Sequence, residues 1–413
     1  MRKPDKMKKK KDLYFYFLGI VALIPFNIFI VDTQIFLLQQ IIFSCLIIYK
    51  FSSSTKIIWG STIDKIFLAY FIWGIFSFLL NLPITTDETA LLRKSFSLIM
   101  FISLSLTFLV GKSYSFNNKT AIIDFTQGII ITYLLISLYF MAILIIKGAE
   151  DLMLVREEIG QRLPFVIAYV ATLAIVITYF EYRKSIIFIF TGIIGITTVI
   201  LSLTRAAYLQ LLVSYFFLIL FGGKTIKRIL IMLIPIILII ILGFGLLNLD
   251  IPAIDQIFQR IELLSDIEQQ REVDPSGSTR LFIWELILQK FEQFPHAWLL
   301  GFGQLGPTEL TKGMSESSSA HNQYLDVLVR EGAVGLTMFL TLFFLSIRYG
   351  IKNINISSQS VSSKYFFANS IALLGIMVYS FFHETVRYPM FGFYLWFYLG
   401  LISSKNESML ASE

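Results

Sequence analysis

Long apolar runs, each broken by a few polar or charged residues, set the pattern of this chain. A bilayer core takes about 17 to 25 helical residues to cross. Runs of that order lie near Leu13 to Val31, Ile35 to Phe51, Ile66 to Leu82, Ser95 to Val110, Ala121 to Ile146 and Leu163 to Phe180. Others lie near Ser185 to Leu203, Ala207 to Phe221, Ile229 to Asn248, Gly332 to Tyr349, Phe366 to Phe382 and Pro389 to Ser403. The pattern predicts an all-α integral membrane protein of about twelve transmembrane helices, with one large extracytoplasmic loop that itself contains helices. Most runs are apolar on every side, so they give length without naming an inward face.

Polar positions between the runs give orientation. "MRKPDKMKKKK" is cytoplasmic by the positive-inside rule, and with alternating crossings the stretches Lys50 to Lys65, Lys112 to Lys119, Arg183 to Lys184, Lys224 to Arg228 and Arg348 to Lys364 fall on the same side. All are basic. The opposite side receives the acidic "KGAEDLMLVREEIGQR" and one long polar segment from about Leu249 to Ala320. Both termini are therefore expected in the cytoplasm. The chain divides into N-terminal spans (1–248), a large outer loop (249–320) and C-terminal spans (321–413).

The 413 residues are 56% hydrophobic and 15% charged, an apolar content above that of soluble domains. The net charge of +6 does not point to nucleic acid, because the basic residues are scattered over short loops and gather on no single face. Cys45 stands alone inside a span, so no internal disulfide forms. The first span follows a basic segment but lacks a small-residue cleavage site, and is expected to be retained.

Helical spacing recurs inside the long loop. Ile254, Ile257, Phe258, Ile261 and Leu264 predict an amphipathic helix lying on the membrane or capping the bundle. "RLFIWELILQKFEQF" predicts a second helix, with Ser278 or Thr279 as N-cap and Pro295 at its end. The turn "LLGFGQLGP" and the polar "TKGMSESSSA" lead from it to "HNQYLDVLVREGAVG".

Candidate chemistry gathers on the outer side. His321 follows three serines able to cap a helix and is expected in the first helical turn, where the helix N-terminus disfavours an imidazolium and keeps the ring a proton acceptor. At 100° per residue Gly332 and Gly335 stand about 20° and 40° from His321, on a face where small residues admit a neighbouring helix. Arg205, in "LSLTRAAYLQ", joins two spans with almost no loop and is suited either to gripping phosphate or to snorkelling. Arg280 at a helix start opposes the macrodipole unless an anion is bound there. Arg162 opens a span as an anion ligand or an interfacial anchor. Arg387 and His383 flank a tight hairpin before Pro389. The chain shows no P-loop, dinucleotide fingerprint, metalloprotease histidine pair or paired-cysteine zinc spacing, so metal-independent chemistry without a cofactor is expected.

His321-Asn322, nine residues, Gly332, two residues and Gly335 resemble the motif of the bacterial O-antigen ligase and O-antigen polymerase superfamily, where a large periplasmic loop enters a late span. "LSLTRAAYL", "STRLFIWELIL" and "HETVRYPMFGFYLWFYLGL" resemble the family's arginine turn, loop arginine and C-terminal hairpin. The likeness covers roughly Gly160 to Leu401. Around Arg162 the family's Asn-Pro-Asn-like step is missing.

The resemblance implies a multi-pass protein of the bacterial inner membrane, active on its periplasmic face among membrane lipids. The donor would be an undecaprenyl-diphosphate-linked glycan. The acceptor hydroxyl would belong to lipid A core for an O-antigen ligase of lipopolysaccharide biosynthesis, or to a lipid-linked glycan for a polysaccharide polymerase. His321 would be the catalytic base, and Asn322 would orient it or a sugar. Arg205, Arg280, Arg387 and Arg162 would hold the diphosphate. A multi-span polysaccharide transporter stays open as an alternative, although carriers place such charges near the bilayer midplane. A transferase glycosylating protein is another.

Overall fold

A computed structural model of the chain describes residues 59–81, 88–117, 120–147, 163–180, 186–202, 204–221, 275–304, 306, 310, 321–352, 361–385 and 389–410. Among the described residues there are eleven helices and no strand. They are α1 (Thr62–Leu80), α2 (Glu88–Asn117), α3 (Ala121–Lys147), α4 (Leu163–Phe180), α5 (Ile186–Leu201) and α6 (Arg205–Phe221), followed by α7 (Pro275–Gln293), α8 (Ala297–Leu300), α9 (Gln323–Lys352), α10 (Val361–Tyr379) and α11 (Pro389–Leu410).

Five stretches are long and apolar enough to cross a membrane: Thr62–Leu80, Ser97–Ser115, Ala121–Tyr139, Gln323–Lys352 and Val361–Tyr379. Shorter apolar helices cover Pro164–Thr178, Ile186–Ile200, Ala206–Phe221 and Tyr394–Ser404. The expected spans at 13–31, 35–51 and 229–248, with Cys45 in the second of them, and the surface helix expected over 254–264 lie outside the described residues. The expected count of about twelve is thus not reached among those described.

The residues fall into two compact units, each discontinuous in sequence. The first comprises 1–125, 276–349 and 380–413, the second 126–275 and 350–379. This partition follows packing, whereas the three-part division expected from the sequence follows membrane topology.

In the first unit α1 and α2 run antiparallel, joined at both ends by polar contacts: Asp64 pairs with Lys112 at one end, and the Lys94 Nζ donates to the Asn81 carbonyl (3.2 Å) at the other. Ser61 starts α1 with a capping box, in which Asp64 N–H donates to Ser61 Oγ (3.1 Å) and Ser61 N–H to Asp64 Oδ2 (3.0 Å). Aromatic rings fill the space between the helices. Phe67 stacks on Phe108 at 3.8 Å, and Tyr70 stacks on Trp396 at 5.7 Å. α2 and α11 approach backbone to backbone through Gly111 and Gly400, where an added Cβ would collide with the carbonyls of Phe397 and Phe108.

The second unit sets a few hydrogen-bonded polar side chains in an apolar interior. Tyr169 donates to Asn369 Oδ1 (2.8 Å), whose amide donates to Thr126 Oγ1 (2.9 Å) and the Tyr365 carbonyl (2.8 Å). Gln210 Nε2 reaches the Phe165 carbonyl at 2.9 Å. By contrast Leu209, Leu212, Phe216 and Leu220 of α6 are exposed at helical spacing. Such a stripe is a liability in water and the ordinary face of a helix toward lipid tails.

Candidate functional site

The first unit holds the stretch "HNQYLDVLVREGAVG". Its helix begins at Gln323, nine residues before the span expected from hydropathy. Asn322 is the N-cap: its Oδ1 accepts from the N–H groups of Tyr324 and Leu325, both at 3.0 Å, and its own carbonyl takes the first helical bond from Asp326 (2.9 Å). The Asn322 side-chain amide bonds to nothing among the described residues. The serines expected as caps, Ser317 to Ser319, lie outside the described residues.

His321 therefore stands one residue before the cap, not in the first helical turn. Its φ is 47°, in the left-handed region that non-glycine residues adopt only where the surroundings hold them there. The expected phase relation of His321, Gly332 and Gly335 on one helical face also fails. His321 is outside the helix, and α9 is interrupted at Gly332 (φ 68°, ψ −172°).

The interruption has a local cause. Three carbonyls before Gly332 are taken by groups outside the helix: Val329 accepts from Phe302 N–H (2.7 Å), Arg330 from Gly303 N–H (3.0 Å) and Ser77 Oγ (3.0 Å), and Glu331 from the Trp73 indole (2.7 Å). A broken helix at membrane depth is tolerated when its freed backbone groups are satisfied in this way. At Gly332 an added Cβ would meet the Leu299 carbonyl. The glycine thus admits the backbone at the end of the short helix α8, together with Gly301 that follows it. The Gly335 Cα faces the Glu331 side chain, with Trp73 3.3 Å from where a Cβ would sit.

Buried side chains complete this knot. Arg330 Nε pairs with Asp326 Oδ1 (2.8 Å), four residues back on the same helix face, and Nη1 donates to Ser97 Oγ (2.6 Å) and the Gln304 carbonyl (2.7 Å). Gln304 Nε2 donates to Glu331 Oε1 at 3.3 Å. Ser77 also bonds the Leu300 carbonyl (2.6 Å), and Lys94 lies buried beside Asn81. Burial lowers the Lys94 pKa from its ordinary value.

α7 rests on the same knot through an apolar face. Ile283, Ile287 and Phe291 form a core with Ala297 and Val329, bordered by Trp284, Phe302, Leu325 and Leu328. The helix starts at Pro275, a residue suited to the first helical position, rather than after Ser278 or Thr279. Arg280 accordingly lies more than a turn inside α7, half-buried, and the expected conflict with the helix dipole is relieved.

The remaining candidates are distributed as follows. Arg205 is the first residue of α6 in the second unit, directly after Thr204, whose carbonyl accepts from the N–H groups of Ala207 (2.9 Å) and Tyr208 (3.2 Å) in the first turn of the helix. Arg162 and Arg387 lie outside the described residues. The structure brings together His321 and His383, whose ring centroids are 5.7 Å apart with planes at 84°. Among the described residues no group of three or more His, Cys, Asp or Glu side chains is placed to hold a metal ion.

Hydropathy reading missed Arg330, Glu331, Asp326, Gln304 and Gln323. One signal was available: Asp326 and Arg330 sit four residues apart inside an apolar segment, where charges are costly unless paired.

Fold and site thus define an all-helical membrane protein whose late helix breaks at a glycine just after a histidine–asparagine start. Residues 190–340 match the family described as O-antigen ligase, which bears out the resemblance to the O-antigen ligase and polymerase superfamily. The matched stretch contains Arg205, Arg280, His321, Asn322, Gly332 and Gly335, as well as Arg330 and Glu331, while His383 and Arg387 fall beyond it. Over 389 residues the chain is 27% identical to an uncharacterized protein of Haemophilus influenzae, covering 90% of this chain and 92% of that relative.

Proposed function

We propose that this protein is a glycosyltransferase of the bacterial inner membrane that moves a glycan from undecaprenyl diphosphate to a sugar hydroxyl on the periplasmic face, as an O-antigen ligase acting on lipid A core. The observation that carries the proposal is the arrangement of His321 and Asn322 at the start of α9, in a stretch that matches the O-antigen ligase family.

The acceptor oxygen attacks the anomeric carbon as the bond from that carbon to the diphosphate oxygen breaks. His321 takes the acceptor proton, which makes the oxygen a stronger nucleophile. Negative charge grows on the departing lipid diphosphate, and fixed guanidinium groups are suited to stabilising it without prior reorganisation. Arg205 and Arg280 fill this role, with Arg387 and Arg162 as further ligands. The Asn322 amide, left over from capping, offers donors to a sugar or to the base. Because nucleophile and leaving group are on opposite faces of the sugar, one displacement inverts the anomeric centre. By the same assignment the loop at 249–320 is periplasmic, both termini are cytoplasmic, and the reaction needs no metal.

The test is transfer by the purified full chain, with the anomeric configuration of the product read by NMR. Undecaprenyl-diphosphate glycan is offered with lipid A core in one reaction and with lipid-linked repeat units alone in another. Inverted product on lipid A core is expected. Elongation of lipid-linked repeats without transfer to lipid A core would make the protein a polymerase, retained configuration would overturn the single displacement, and glycan attached to protein would overturn the acceptor assignment.

A further inference from the structure

His383 lies beyond the matched family stretch, yet the structure seats it against His321 at three points of contact between the segments 321–324 and 380–385. The two imidazoles meet edge to face, with centroids 5.7 Å apart and planes at 84°. Next to them the Tyr324 ring packs on Phe381 at 4.5 Å. The third contact is polar. Gln323 N–H donates to the Ser380 carbonyl (2.8 Å), the Gln323 side-chain carbonyl accepts from Thr385 N–H (2.9 Å), and the hydroxyls of Ser380 and Thr385 are bonded to each other at 2.7 Å. Gln323, Ser380, His383 and Thr385 are all buried.

Each contact serves the same geometric end. Gln323 is two residues from His321 and binds both ends of the turn that carries His383, once through its backbone N–H and once through its side-chain carbonyl, so the two segments that carry the rings are held in register. His321 also has a left-handed backbone (φ 47°), a conformation that persists where neighbouring structure determines it. A buried ring against one flank of an imidazole limits the rotations open to it.

We infer that His383 is a positioning residue for His321: its ring fixes the orientation in which the His321 imidazole meets the acceptor hydroxyl, and Gln323 sets the register between the two segments. The inference rests on the transferase reading with His321 as base. No proton is assigned to His383. The contact that carries the inference is ring against ring, so a phenyl ring at the same position should serve in its place, whereas a methyl group should not.

The experiment uses the full chain in lipid nanodiscs, with undecaprenyl-diphosphate glycan as donor and whichever acceptor the wild type uses. His383→Ala is expected to lower kcat about 10- to 100-fold, the scale on which misplacement of a reacting group acts. Donor Kd and acceptor KM should stay within about threefold, since binding groups are untouched. His383→Phe should restore kcat to within about threefold of wild type. In a His321→Ala background, His383→Ala should have no further effect on kcat, because residues acting as one unit are not additive.

Full kcat in His383→Ala, an equal loss in His383→Phe, or an unchanged multiplicative loss in the double variant would each overturn the inference. The last would show that His383 acts independently of His321. Undiminished transfer by His321→Ala is a separate outcome: it would overturn the base assignment itself, and the positioning role with it.

Discussion

The two ends of the α1–α2 pair carry buried charge in different ways. At one end Asp64 and Lys112 neutralise each other within two helices; Asp64 also closes the capping box at Ser61, and the Lys112 Nζ lies 5.4 Å from the Trp59 ring. At the other end, side chains from α1 and α2 reach outward instead. Trp73, Ser77 and Ser97 bind carbonyls or charged groups of α9 and the last carbonyl of α8. The first end pairs its charges within α1 and α2. The second joins four segments around an opened helix whose first turn begins at Asn322. Buried polarity at the first end serves the stability of the bundle, whereas at the second it fixes the direction in which α9 leaves the site.

This contrast can be broken at graded cost. Gly332→Ala should have the largest effect, because a side chain there meets both the left-handed φ and the Leu299 carbonyl. A loss of about 2 to 5 kcal/mol in folding stability and near-complete loss of transfer are expected, read by thermal melting and by the glycan assay. Arg330→Met follows, leaving Asp326 buried without its cation at a cost of about 3 to 5 kcal/mol. Transfer per folded molecule should fall as well, since Arg330 also ties Ser97 and the Gln304 carbonyl to α9.

Asp64→Asn sharpens the comparison. It breaks the other buried pair at a similar cost of about 3 kcal/mol, yet should leave kcat per folded molecule within about twofold of wild type. Equal kinetic losses from Arg330→Met and Asp64→Asn would erase the distinction between the two ends. A smaller effect separates the two jobs of Asn322. Asn322→Asp keeps the capping oxygen and removes the amide donors, so melting should shift by less than about 1 kcal/mol while transfer declines. Unchanged transfer would leave Asn322 a cap alone.

The smallest effect is a pH dependence. Burial lowers the Lys94 pKa from its ordinary 10.5, so between the folded and unfolded values the unfolded chain binds more protons. Stability should therefore rise with pH as pH climbs through the lowered value toward 10.5, and Lys94→Met should flatten that rise in melting curves.

The sequence disclosed much of this architecture and little of its internal contact. Apolar runs mark helices well because length and hydropathy suffice, and α1 to α6 and α9 to α11 lie where runs were read. Which face turns inward is not written in runs that are apolar all round; it emerges from single residues such as Asn369 and Gln210. The break at Gly332 was invisible to periodicity, because "VLVREGAVG" continues a helical pattern straight through it. Tertiary donors from Trp73, Ser77 and the 302–303 turn decide the matter, and those from Trp73 and Ser77 depend on pairings across more than 200 residues. At the site, the motif located His321 and Asn322. Helix-start rules favoured the serines as caps, whereas Asn322 itself provides the capping oxygen, which moves the histidine out of the helix. The meeting of His321 with His383 depends on Gln323, a residue with no distinguishing pattern in the sequence.

The most direct test of the central claim is glycan transfer by purified His321→Ala, measured beside wild type with donor binding and melting temperature recorded on the same samples. Loss of transfer with donor binding and folding intact is the expected result. Undiminished transfer by a folded His321→Ala would contradict the assignment of the start of α9 as the place where the acceptor loses its proton.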